Sequence, residues 1–169
     1  MPHVMNAKSH PLAASAAHSQ SFESTARAEN IVTVIIADND PASRRSLAEG
    51  LERLNCMALE YSTGIEAIEA AECEDADIIL LSTRLPDTDG LNAIDDLKSN
   101  LATATLPIVA LAPAAFGDER ANYLEAGAAA FVTKPTNAGE LHQLILKILS
   151  GWREETEAQE PDLQNAASF

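Results

Sequence analysis

The chain has 169 residues, with 26 Asp and Glu against 11 Lys and Arg, a formal net charge of −15 and a pI near 4.4. That balance argues against a nucleic-acid surface. A hydrophobic content of 46% supports one buried core, and no apolar run approaches the ~18 residues of a membrane span. The reading is therefore a soluble, single-domain protein. Cys56 and Cys73 form no CxxC pair and fit reduced thiols in the cytoplasm better than a disulfide framework.

Residues 1–30 are rich in Ala, Ser and His without helical or strand periodicity, and they lack the apolar stretch of a signal peptide. They read as a disordered tail. His3, His10 and His18 have no metal-ligand spacing. The stretch 152–169 reads as a second, acidic disordered tail. Between the tails, Ile31 to Trp152 holds 19 acids and 8 bases, so a net −11 belongs to the expected folded part, 31–151.

Short apolar runs alternate with helical patterns through that segment. Val32 to Ala37 predicts the first strand, followed by a helix whose inward stripe is Leu47, Leu51 and Leu54. A second strand over Cys56 to Leu59 precedes a helix near Gly64 to Ala71. The third strand, Ile78 to Leu81, leads to a stripe of Leu91, Ile94 and Leu97. Ile108 to Leu111 is the fourth strand, with a helix over Asp118 to Ala126 behind it. Phe131 to Thr133 is the fifth, and a last helix, Ala138 to Ser150, turns Leu141, Leu144, Ile145, Ile148 and Leu149 inward. Nearly continuous Val, Ile and Leu in the first, third and fourth strands is the pattern of strands buried on both faces. Five alternations call for an α/β fold with a parallel sheet covered by helices on both faces. In such sheets chemistry sits at the carboxyl ends of the strands.

Those ends carry Asp38-Asn39-Asp40-Pro41, then Ser82 with a turn-rich loop to Gly90, then Ala112-Pro113, and finally Lys134-Pro135. The acidic turn, the strand Asp77 to Leu81 with Pro86, Asp89 and Gly90 behind it, and Ala126-Gly127-Ala128 leading to Lys134-Pro135 resemble, in order and spacing, the receiver domain of bacterial response regulators. The resemblance covers Ile31 to Leu149. It implies a flavodoxin-like receiver fold of strand order 2-1-3-4-5, phosphorylation of an aspartate ending the third strand, and Mg²⁺ held by that aspartate and the acidic turn.

The chain departs from this pattern where the chemistry lies. Ser82 stands at the phosphoacceptor position, and an alcohol needs a base to act as a nucleophile. Mg²⁺ prefers an octahedral oxygen shell with one or two carboxylates, so only a weak site at Asp38 is expected. Asn39 brings no charge, and Asp40 is expected to turn toward the helix as a cap. Ala112 replaces the hydroxyl residue that would contact the phosphoryl group. Phe131 takes the place of the family's mobile aromatic but reads better as core, since an apolar aromatic in a buried strand needs no other explanation. For Lys134 a structural ion pair with Asp38 is at least as good a reading as a functional one.

The expected function is that of an atypical receiver, not an enzyme, without Asp phosphorylation and without a resident cofactor. It would work by contact with a histidine kinase, a phosphotransfer protein or another response regulator, through a surface around Arg120, Tyr123, Phe131 and His142, with a homodimer possible and no nucleic acid or membrane involved. Two alternatives remain: phosphorylation on another acceptor such as Asp38 or Asp40, and a phosphohydrolase resembling the haloacid dehalogenase superfamily, with Asp38 as nucleophile and Asp40 as acid and base.

Overall fold

The computed structural model describes residues 31–114 and 118–154; the expected tails over 1–30 and from residue 155 onward lie outside them. Five strands, β1 (Val32–Ala37), β2 (Cys56–Tyr61), β3 (Ile78–Ser82), β4 (Ile108–Ala112) and β5 (Ala130–Thr133), form one parallel sheet in the order β2-β1-β3-β4-β5. The helices are α1 (Pro41–Glu52), α2 (Gly64–Cys73), α3 (Gly90–Ser99), α4 (Arg120–Ala126) and α5 (Ala138–Leu149). The parallel α/β class is the one the sequence pattern predicts, and the strand order is the one the family resemblance implies.

Alternation along the strands sorts the core into two layers. Val34, Ile36, Ile78, Leu80, Val109 and Leu111 pack with α1 and α5, whereas Ile35, Ala37, Ile79, Leu81, Ala110 and Ala112 pack with α2, α3 and α4. Every residue of β3 and β4 is buried, as two-sided burial of a parallel strand requires.

The helix stripes hold with two corrections. Leu54 lies beyond α1 and is 38% exposed, because the chain leaves the helix after Glu52 and Asn55 enters the left-handed region at φ 65°, which Asn tolerates at a helix exit. Leu149, the final residue of α5, is 39% exposed, since the helix ends before another turn can meet the sheet, and Leu144 packs on the core only half-buried. Helix α4 begins at Arg120, two residues later than expected, and closes on Gly127, whose φ of 118° lets the Ala128 N–H return to the Tyr123 carbonyl.

Candidate functional site

Register carries the candidate residues to one rim. Ala37 pairs with Leu81, Ser82 with Leu111, and Ala112 with Thr133, so Asp38, Ser82 and Lys134 stand at the carboxyl ends of β1, β3 and β5 along one rim of the sheet. Each lies two residues beyond a member of the layer that packs against α1 and α5 (Ile36, Leu80 and Val132), so alternation directs all three to that face. Ala112 and Phe131 belong to the opposite layer.

At the centre Lys134 Nζ donates to Asp38 Oδ2. The Asp38 side chain is 3% exposed and that of Lys134 22%, so the pair closes one end of the sheet. The second oxygen, Asp38 Oδ1, accepts from the Asp40 N–H at 3.0 Å, and the Asp38 carbonyl accepts from Arg44 Nη1 at 2.6 Å. Both carboxylate oxygens are therefore engaged. Asn39 is exposed. Asp40 caps α1, its Oδ1 accepting from the Ala42 N–H at 3.0 Å ahead of Pro41 at the first helical position.

Ser82 is buried, and its hydroxyl stays local. Oγ donates to the Arg84 carbonyl at 3.2 Å and accepts from the Arg84 N–H at 3.3 Å, which ties the start of the β3–α3 loop. No His or carboxylate shares a hydrogen bond with this hydroxyl among the described residues, so nothing there acts as a base for it. Beside the Lys134–Asp38 pair a cleft of about 410 Å³ runs between α1 and the loops after β4 and β5, lined by Asp40, Ser43, Ser46, Pro113, Lys134 and Thr136.

These donors do not match a Mg²⁺ site. An octahedral shell needs oxygens free to turn toward the ion, and the rim offers one buried carboxylate already holding an ammonium and an amide. Among the described residues no group of three His, Cys, Asp or Glu side chains is placed to hold a metal. The haloacid dehalogenase-like alternative meets the same obstacle, since its nucleophile would be tied to Lys134 and its acid–base residue spent as a helix cap.

The two switch positions are core. Ala112 is fully buried, and the Phe131 ring packs on Tyr123 with centroids 5.5 Å apart and planes at 53°. Burial, with Asp89 and Glu119 nearby, pushes the Tyr123 phenol up to about 12. Of the four residues expected on a contact surface, Tyr123 and Phe131 are thus withdrawn into the interior. Arg120 is exposed and His142 half-buried.

One residue that the sequence reading left without a role braces the loop behind Ser82. The Asp87 carboxylate accepts from the N–H groups of Gly64 and Ile65 at 2.8 and 2.7 Å, capping α2 from a distant loop. A Cβ on Gly64 would sit 2.3 Å from Thr88 Cγ2, so the loop approaches the helix more closely than any other residue there allows. Partial burial pushes the Asp87 carboxyl up, but hydrogen bonds from the N–H groups of Ile65, Gly64, Asp87 and Thr88 outweigh it and hold it below the usual range. A lowered folded-state value means the contribution is present above the unfolded value near 4 and fades as the pH falls through the folded one. Asp87→Ala should cost about 1 kcal/mol at pH 7, as loss of a helix cap does, and the gap between the two proteins' urea midpoints should narrow below pH 4.

With this geometry in place, comparison with known proteins is informative. A family model described as the response regulator receiver domain matches residues 34–146. The chain is 29% identical over 117 residues to the sensor protein GacS of Pseudomonas syringae, covering 68% of this chain and 13% of that one. It is 28% identical over 127 residues to the transcriptional regulatory protein KdpE of Mycobacterium tuberculosis, covering 75% and 54%. The match is thus to one portion of longer proteins. Among solved structures, a putative response regulator from Chloroflexus aurantiacus superposes with a TM-score of 0.68 at 25% identity, covering 72% of this chain and 99% of that one. The receiver domain of sensor histidine kinase PA1611 from Pseudomonas aeruginosa, which holds a magnesium ion in its active site cleft, gives 0.66 at 26%, with the same coverage. Sequence and topology agree, and the chain belongs to the response regulator receiver domain family.

Proposed function

We propose that this chain is a receiver that signals by contact and takes no phosphoryl group at the acceptor position. The observation that carries the reading is the state of the rim: Ser82 is hydrogen-bonded to the Arg84 backbone while Lys134 and Asp38 neutralise each other. Phosphoryl transfer to an aspartate uses an ionised carboxylate as nucleophile and a cation to offset charge on the transferred group. The chain has replaced the first, and the Lys134–Asp38 pair engages the ammonium that could serve as the second. Mg²⁺ binds weakly at best, since the acidic turn presents no free pair of carboxylates. Ala112 provides no hydroxyl to sense a phosphoryl oxygen.

Function then rests on shape and charge. The partners that fit the family are a histidine kinase, a phosphotransfer protein or another response regulator, and the chain would hold one of them constitutively or compete with a phosphorylatable receiver for it. The net −11 of Ile31 to Trp152 favours a basic patch on the partner and rapid encounter at low salt. The same rim argues against catalysis, so the chain acts as a binding module.

The test is the affinity for such a partner, identified by pull-down from the source cell and then purified. The dissociation constant should agree within about twofold with and without a small acyl phosphate and Mg²⁺, because no reactive carboxylate is available. A tenfold change that depends on the acyl phosphate would show that the domain switches after all.

A further inference from the structure

The sequence reading starts the acidic tail at Trp152, but the first three residues of that stretch fold back on the sheet. Gly151, at φ 104°, reverses the chain after α5. The Trp152 N–H donates to the Lys147 carbonyl at 3.1 Å, and Lys147 Nζ lies 5.2 Å from the centroid of the indole ring, which fixes the reversal. Glu154 then meets the outer edge of β5, the last strand in the sheet order. Its N–H donates to the Ala129 carbonyl at 2.9 Å, and its Oε2 accepts from the Phe131 N–H at 3.0 Å. The other oxygen, Oε1, pairs with the Arg120 guanidinium, whose Nη1 also reaches the Phe131 carbonyl at 3.5 Å.

An edge strand leaves a row of N–H and C=O groups that an added segment can pair with. Here the edge offers a carbonyl, an N–H and a guanidinium within one short stretch, and these ask for a backbone N–H and a carboxylate from a single extended residue. Glu154 supplies both. Its side chain is only 15% exposed, against 54% for Arg120, so the acid is seated rather than laid over the surface.

We infer that the outer edge of β5, together with Arg120, is a docking slot for an extended segment bearing a carboxylate, and that Trp152–Glu154 fills it from within the chain. A partner protein that reads this face places the carboxylate of an extended segment on Arg120 in place of Glu154, while basic residues elsewhere on that partner meet the acidic surface. The inference rests on the reading that output passes through contact, but its test uses neither Mg²⁺ nor a phosphoryl donor, so failure of either leaves the other standing.

The experiment follows amide hydrogen exchange at Phe131, relative to Ile79 in the centre of the sheet, in the full chain. Glu154→Ala should speed Phe131 exchange at least tenfold while Ile79 keeps its rate. An acetylated peptide of residues 150–155 should slow it again at least threefold. The same peptide should do nothing to a protein carrying both Glu154→Ala and Arg120→Ala. Unchanged Phe131 exchange in Glu154→Ala would overturn the proposal. So would failure of the peptide to restore protection, or equal protection of the doubly substituted protein.

Discussion

Ser82→Asp should strengthen divalent-cation binding at the rim. The new carboxylate would stand at the end of β3, one strand from Asp38 and on the same face as Lys134. Without metal it adds a buried charge beside an existing one, and two neighbouring carboxylates share a single ammonium, so the variant should be less stable than the parent. Mg²⁺ reverses the sign. With two carboxylates able to turn toward it, the ion binds the folded state and stabilises by RT ln(1 + [L]/Kd), about 2.7 kcal/mol at a hundredfold excess over Kd. Thermal unfolding should therefore rise by several degrees with millimolar Mg²⁺ in Ser82→Asp and stay put in the parent. A variant as indifferent to Mg²⁺ as the parent would show that position 82 does not face the Asp38–Lys134 pair. The restored acceptor should still fail to switch, because Ala112 is unchanged.

Lys134→Ala should produce the largest loss of stability of any single change at the rim. It leaves the Asp38 carboxylate, almost fully buried, with one amide hydrogen bond and no ion-pair partner, the Arg44 guanidinium being held on the Asp38 carbonyl instead. Removing one member of a buried pair costs about 3–5 kcal/mol; partial solvent access at Lys134 places this case near 3 kcal/mol. Asp38→Asn in the same protein removes the stranded charge and should restore at least about 1 kcal/mol, a coupling that urea denaturation of the two single variants and the double variant measures directly. A loss below about 1 kcal/mol in Lys134→Ala would mean that water already solvates Asp38.

The sheet was legible because its signal is local and redundant. Two-sided burial forces nearly unbroken Val, Ile and Leu in β3 and β4, and the intervening stripes of Leu47 with Leu51 and Ile94 with Leu97 fix the helices. The alternation gives a parallel sheet with right-handed crossovers, and the strand order itself followed from the resemblance to receiver domains. The rim was legible for a related reason, since chemistry-bearing residues collect where the strands end, and Asp38, Ser82 and Lys134 announced themselves by position. Other features depended on partners distant in sequence. Asp87 caps a helix that begins 23 residues earlier, and Glu154 reaches an edge strand 23 residues before it, so no periodicity links either pair. Arg44, which donates to the Asp38 carbonyl, faces the same difficulty of direction: a stripe gives a helix its buried face but not the reach of a long polar side chain. Tyr123 belongs with these. Its place on the helix that belongs to the family's usual contact face suggested a surface, and only contact with Phe131 and burial under α3 reveal it as core.

The most direct measurement is intact mass of the wild-type protein after incubation with a small acyl phosphate and Mg²⁺. With the alcohol of Ser82 held by the Arg84 backbone and Asp38, the only buried carboxylate among the described residues, paired with Lys134, the mass should stay unchanged, while Ser82→Asp treated alongside gains one hydroxylamine-labile phosphoryl group. A hydroxylamine-labile gain of one phosphoryl in the wild type would contradict the account, for it would mean that Asp38, Asp40 or another carboxylate accepts the group that Ser82 cannot.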